Sequence, residues 1–127
     1  MKKLTQAQIA PVRAKLLAEQ GHRCPLCYGS MKGAKGKKPA LDHDHITGAI
    51  RDVLCLNCNG MEGKIFNLAR RGLKGDPQLF VERLLEYWIV HKHAPRPYTH
   101  PTHKTANEKR LATNAKARKK RAAAKKA

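Results

Sequence analysis

Apolar material is scarce in this sequence. Aromatic residues fill 5% of its 127 positions and mean hydropathy is -0.64. A chain with room for one small domain plus appendages therefore draws thin stability from hydrophobic burial, and a metal or a partner subunit is the natural supplement. Long hydrophobic runs are absent too. After Met1-Lys2-Lys3, the residues Thr5, Gln6, Gln8, Arg13 and Lys15 interrupt every candidate secretory segment, and no stretch approaches membrane-spanning length. The expectation is an intracellular protein with no membrane partner. Acidic residues are few: nine Asp and Glu stand against 27 Lys and Arg, a net charge of +18. Such an excess implies a polyanionic partner, most often nucleic acid. Half of it lies between Lys104 and Ala127, where ten basic residues face the single acid Glu108.

Cysteine is sparse but ordered. The four cysteines form two Cys-x-x-Cys pairs, Cys24 with Cys27 and Cys55 with Cys58. Paired knuckles are the arrangement of a four-thiolate structural zinc site rather than of a disulfide framework, and a reducing compartment keeps the thiolates free for metal. The competing reading is two redox dithiols or loose buried thiols.

Periodicity organises the rest. Ile9, Val12, Leu16 and Leu17 share one face of a helix expected over Leu4 to Gln20, with Pro11 tolerable only near its first turn and Gly21 as its stop. Gly29 to Lys38 reads as an exposed, mobile Gly/Lys loop. Ala40 to Asp44 and Ala49 to Leu54 flank Ile46-Thr47-Gly48 as a short hairpin, closed by the second knuckle. A helix from Asn59 to Gly72 follows, then Asp76-Pro77 opens a strongly apolar helix to His93. The expected fold class is α+β: a small zinc-stabilised domain with flanking helices over residues 1–93, a Pro/His-rich linker at 94–103, and a basic, disordered nucleic-acid-binding tail at 104–127. Phe80, Leu84, Leu85, Trp88 and Ile89 give the last helix more apolar surface than one short partner covers, so a homodimer through residues 77–93 is expected, the competing expectation being that the helices at Leu4 to Gln20 and Asn59 to Gly72 together bury it within one chain.

The stretch LDHDHITGAIRDVLCLNCNG, Leu41 to Gly60, holds three Asp, two His, two Cys and two Asn. Hydrolysing a phosphodiester with one hard cation needs a base for water, a carboxylate or amide oxygen for the cation, and positive charge near the phosphate. All three are present. One-residue spacing, however, sends Asp42 and His43 to opposite faces of a regular strand, so a strand end or bulge must re-aim one of them. Taken singly, Asp44 suits a turn and Asn59 could cap a helix.

The order Cys-x-x-Cys, Leu-Asp-His-Asp-His, a Gly turn, then Arg-x-x-Leu-Cys-x-x-Cys-Asn with Glu62 beyond, resembles the phage endonuclease VII family of His-Me finger (HNH-type, ββα-metal) nucleases. The likeness runs from about Leu4 to Gly72 and includes Leu16 to Gly21. It implies that Cys24, Cys27, Cys55 and Cys58 hold structural zinc, that Asp42 and Asn59 bind a catalytic Mg²⁺ or Mn²⁺, and that His43 is the general base. His45 would assist near the scissile phosphate, and Glu62 would lie at the edge of the site. The implied protein is a phage-encoded, metal-dependent DNA endonuclease for branched or distorted DNA, acting in the host cytoplasm. An HNH nicking or homing-type enzyme and a non-catalytic zinc-dependent DNA-binding module are the alternatives.

Overall fold

The computed structural model describes residues 1–73 and 75–126. In chain order it contains α1 (Gln6–Glu19), β1 (Pro39–His43), β2 (Ile50–Cys55), α2 (Leu56–Gly72), α3 (Pro77–His93) and α4 (Ala106–Lys126). This is the mixed helix and two-stranded-sheet architecture expected, with four cysteines grouped at its centre. By internal packing the chain divides into Met1–Tyr87 and the residues from Trp88 onward, a division that falls inside α3.

In the first unit the core is small and built around the cysteines. Cys24, Met31, Val53, Leu54, Cys55 and Cys58 form one buried cluster, with Leu16, Leu17 and Leu41 packed against it. Helix α1 begins later than expected because the Thr5 backbone N–H donates to Gln8 Oε1 at 2.9 Å. Pro11 therefore lies in the second turn rather than the first, on an exposed face where the carbonyl it leaves unpaired can meet water. At its C-terminal end α1 reaches the hairpin through Gln20, whose amide donates to the Val53 carbonyl at 2.8 Å and accepts from the Val53 N–H at 2.7 Å.

The loop after the first knuckle is more ordered than its Gly/Lys composition implies. Met31 is 4% exposed, and the Met31 N–H donates to the His22 carbonyl at 2.7 Å. Gly36 turns the chain so tightly that a Cβ there would lie 2.6 Å from the Lys32 carbonyl oxygen, a contact only glycine avoids.

Strands β1 and β2 pair antiparallel with Pro39 opposite Cys55, Ala40 opposite Leu54 and Leu41 opposite Val53, and then the register slips so that His43 faces Ile50. The slip is a bulge that sets Arg51 and Asp52 together opposite Asp42. An unbroken ladder would have placed Asp52 directly across from Asp42, two like charges side by side. Asp44 closes the hairpin loop by accepting from the Ile46 N–H at 2.8 Å and the Thr47 N–H at 2.7 Å, and Gly48 takes the left-handed φ of 74° that the turn requires.

Helix α2 starts at Leu56, three residues before the expected Asn59. The cause is a thiol cap: Cys55 Sγ accepts the Cys58 N–H at 3.5 Å, so the second knuckle is also the helix N-terminus. Helix α3 forms over the expected span and buries none of its residues; Leu79, Phe80, Leu85, Tyr87, Trp88, Ile89 and Val90 are all more than a third exposed.

The tail, expected to be disordered when free and able to turn helical on DNA, is described as helix α4. Thr105 and Glu108 cap it reciprocally, the Thr105 N–H donating to Glu108 Oε2 at 2.8 Å and the Glu108 N–H to Thr105 Oγ1 at 3.2 Å. Behind that cap run Ala, Lys and Arg, all strong helix formers. No residue of α4 is buried, so local propensity and the cap alone support it. Ala127, the last residue of the expected tail, lies outside the described residues.

Candidate metal centre and active site

The four cysteines converge, with ligand atoms all within 4.8 Å of one another. Cys24, Cys55 and Cys58 are buried, while Cys27 is exposed. The two knuckles are tied together and shaped locally: Cys24 Sγ accepts the Cys55 N–H at 3.4 Å, and Tyr28 takes a positive φ of 58° with its N–H on the Cys24 carbonyl at 2.8 Å. The electrostatics are those of a site built for a cation. The Gly29 N–H, the neighbouring thiols and Lys37 draw the Cys27 thiol down to about 6, and Lys37 Nζ lies 3.3 Å from Cys27 Sγ. The adjacent Cys55 thiol and burial push Cys58 up to about 12. Without a cation, one thiolate forms at its neighbours' expense; a tetrahedral divalent ion removes that conflict and fits an all-sulfur donor set.

Beside this centre the hairpin and α2 bring a second set of side chains together. Asp42, 6% exposed, receives a two-pronged ion pair from Arg51: Nε to Oδ2 at 2.6 Å and Nη2 to Oδ1 at 3.0 Å. The same Nη2 lies 3.0 Å from Glu62 Oε1. The other oxygen of Glu62 meets His45 Nε2 at 2.8 Å, and the His45 ring stacks on Phe66 with centroids 4.9 Å apart. His43 follows, its ring centroid 5.9 Å from that of His45. The series Asp42, Arg51, Glu62, His45 and His43 is thus continuous in space. Paired with two carboxylates, Arg51 is held above the ordinary guanidinium range, chiefly by its hydrogen bonds to Asp42.

The bulge explains this grouping. It turns Arg51 toward Asp42 and leaves Asp42 buried and His43 exposed, so the two adjacent residues keep their opposite-facing habit while Arg51 links the carboxylate to α2. Asn59 is half-buried, one turn before Glu62 on α2, and takes no part in the network. It is not the helix cap, since Cys55 fills that role. Asp44 is a turn carboxylate held below its usual range by the Thr47 and Ile46 N–H groups. Sequence reasoning assigns no role to Arg51, although it is the one basic residue of β2 and stands across the hairpin from Asp42.

A groove of about 660 Å³ opens between α2 and the first half of α3. Arg51, Glu62 and Asp44 line it together with the exposed metal-site residue Cys27, and Met61, Ile65, Val81 and Leu85 make it largely apolar elsewhere.

A hairpin bearing an acid and two imidazoles, packed on a helix that starts at the second Cys-x-x-Cys pair, makes a small α+β fold whose four cysteines are placed to hold a metal ion. Residues 2–89 match the family model of recombination endonuclease VII, and the chain belongs to that endonuclease family. It is also similar to two proteins called Gene 59 protein, one from Mycobacterium phage L5 and one from Mycobacterium phage D29. Each is 45% identical over 40 residues, a stretch covering 32% of this chain and 23% of the relative. Among the described residues no helix is long and apolar enough to cross a membrane.

Proposed function

We propose that the protein is a metal-dependent endonuclease of the His-Me finger type that hydrolyses phosphodiester bonds in branched or otherwise distorted DNA. The observation that carries this reading is the Asp42, Arg51, Glu62, His45 and His43 series on one hairpin and helix. The four thiolates suit structural zinc, and the +18 charge suits a polyanionic substrate.

In this reading His43 is the base. It is exposed and lies outside the hydrogen-bonded network, so a ring nitrogen is free to take a proton from water, whereas His45 Nε2 is engaged by Glu62. Glu62 and Phe66 fix the His45 ring, which can then orient a phosphate oxygen. The Asp42 carboxylate and the Asn59 side-chain oxygen are the hard donors for Mg²⁺ or Mn²⁺. Bound there, the cation would stabilise charge on phosphorus and on the leaving oxygen. Arg51 supplies positive charge for the phosphate. The cysteine centre acts on this chemistry through position: Cys58 precedes Asn59 on the first turn of α2, so the knuckle sets where that side chain starts.

Incubating the purified protein and Mg²⁺ with linear duplex, single strand, supercoiled plasmid and a four-way junction tests the reading. Cleavage of the junction in preference to linear duplex is the expected result, and binding to all four with no strand scission would leave a DNA-binding module instead.

The unburied apolar surface of α3 supports the further reading that two chains associate through it, which would present two active sites to paired strands. A dimer by ultracentrifugation in high salt, reduced to monomer by Trp88→Glu with folding retained, is the expected outcome. A monomeric parent would favour nicking over paired cutting.

A further inference from the structure

We propose that Arg51 and the divalent cation compete for the carboxylate of Asp42, so that the cation site opens when a DNA phosphate draws the guanidinium away. This rests on the reading of Asp42 as a cation ligand and adds an order of events to it. The guanidinium takes both oxygens of Asp42 side by side, at 2.6 and 3.0 Å, and the Asp42 side chain is only 9% exposed. With both oxygens engaged and little of the side chain exposed, Arg51 holds the positions a cation would need on this carboxylate. Through the same Nη2 the guanidinium also reaches Glu62 at 3.0 Å, so it sits between two carboxylates, where a divalent cation would otherwise be drawn. Mg²⁺ and Mn²⁺ need direct contact with a hard oxygen, and a fixed positive charge on that oxygen opposes them.

Arg51 also has an exit. Its side chain is 37% exposed and lines the groove beside α2, unlike the Asp42 it covers. The guanidinium fork that fits a carboxylate fits a phosphate equally well. When a backbone phosphate enters, the fork can exchange one anion for another, and Asp42 is released to the cation. No anion is left unpaired in the exchange: the carboxylates give up the guanidinium (+1) and take a divalent ion from solution (+2), while the incoming phosphate (−1) takes the guanidinium. By linkage, DNA and cation then each tighten the binding of the other, and the DNA-free protein holds the cation weakly.

The test uses full-length, zinc-loaded protein carrying His43→Ala, so that DNA is not cut, and Mn²⁺ as the probe, read by the loss of the free-ion electron paramagnetic resonance signal. Without DNA the parent should bind Mn²⁺ weakly, and a short duplex should tighten binding by about tenfold or more, within the ordinary range of coupling between sites. Arg51→Gln should bind Mn²⁺ about tenfold more tightly than the parent without DNA, and duplex should add little further. Arg51→Gln binding the ion no more tightly than the parent would overturn the competition. If that variant loses zinc or helicity, Arg51→Met, which also removes the charge but keeps a long side chain, should show the same tighter DNA-free binding, and no change in it would be equally decisive. Adding Asp42→Asn to Arg51→Gln separates the two ideas. Loss of the gained affinity places the ion on Asp42, whereas a gain that survives shows that the ligand assignment itself has failed.

Discussion

Gln20 acts as a strand residue although it belongs to the end of α1. Its amide satisfies both the N–H and the carbonyl of Val53, and its Nε2 also lies 3.2 Å from the Arg23 carbonyl. One side chain therefore closes part of the open edge of β2 and ties α1 to the first knuckle. Gln20→Ala would strand two partly buried backbone groups, and a loss of about 1–3 kcal/mol in urea unfolding is expected. A loss below about 0.5 kcal/mol would mean that water replaces the amide without cost. The same scale shows what residue type and spacing reveal by themselves. Asp42, His43, His45, Glu62 and the cysteines stand out in that way, and they lie where the hairpin meets α2. Arg51 does not, because two adjacent strand residues alternate faces and nothing in the spacing says which of Arg51 and Asp52 will meet Asp42. A one-residue bulge decides it.

The elements divide into those set by local signals and those set by tertiary contact. Apolar spacing and turn residues locate α1, the hairpin and α3 to within a few residues. The start of α2 escapes such a reading because a thiol, not one of the usual capping side chains, accepts the Cys58 N–H of its first turn. Composition reads the tail as disordered when free, and the same Ala, Lys and Arg residues behind a Thr105/Glu108 cap are those that favour the helix described there, none of whose residues is buried. A helix with ten basic residues in its segment and no apolar face is suited to phosphates rather than to a protein groove. Deleting residues 104–127 should weaken DNA binding about equally for all sequences and reduce the slope of log K against log salt by about 0.9 for each phosphate that α4 neutralises, while cleavage at saturating enzyme persists. An unchanged slope would reduce α4 to a solubilising appendage.

At the scale of the whole molecule, three of the six residues in the central buried cluster are cysteines. The candidate metal site and the core are thus the same structure, and the thin apolar content of the sequence has this as its counterpart. One zinc ion per chain is expected by elemental analysis. Its removal by a chelator under reducing conditions should unfold the hairpin and α2 together, seen as loss of helical circular dichroism beyond the contribution of α3 and α4. A metal-free protein with four free thiols and an undiminished spectrum would contradict this.

The central claim is that this cluster hydrolyses DNA with His43 as base. Its most direct measurement is Mg²⁺-dependent cleavage of the preferred DNA by His43→Ala, alongside the parent, with zinc content and DNA affinity measured on the same samples. The account expects the rate to fall by at least about 10²-fold while zinc and affinity stay at parental values. Near-parental cleavage by a fully folded, zinc-loaded His43→Ala protein would contradict it.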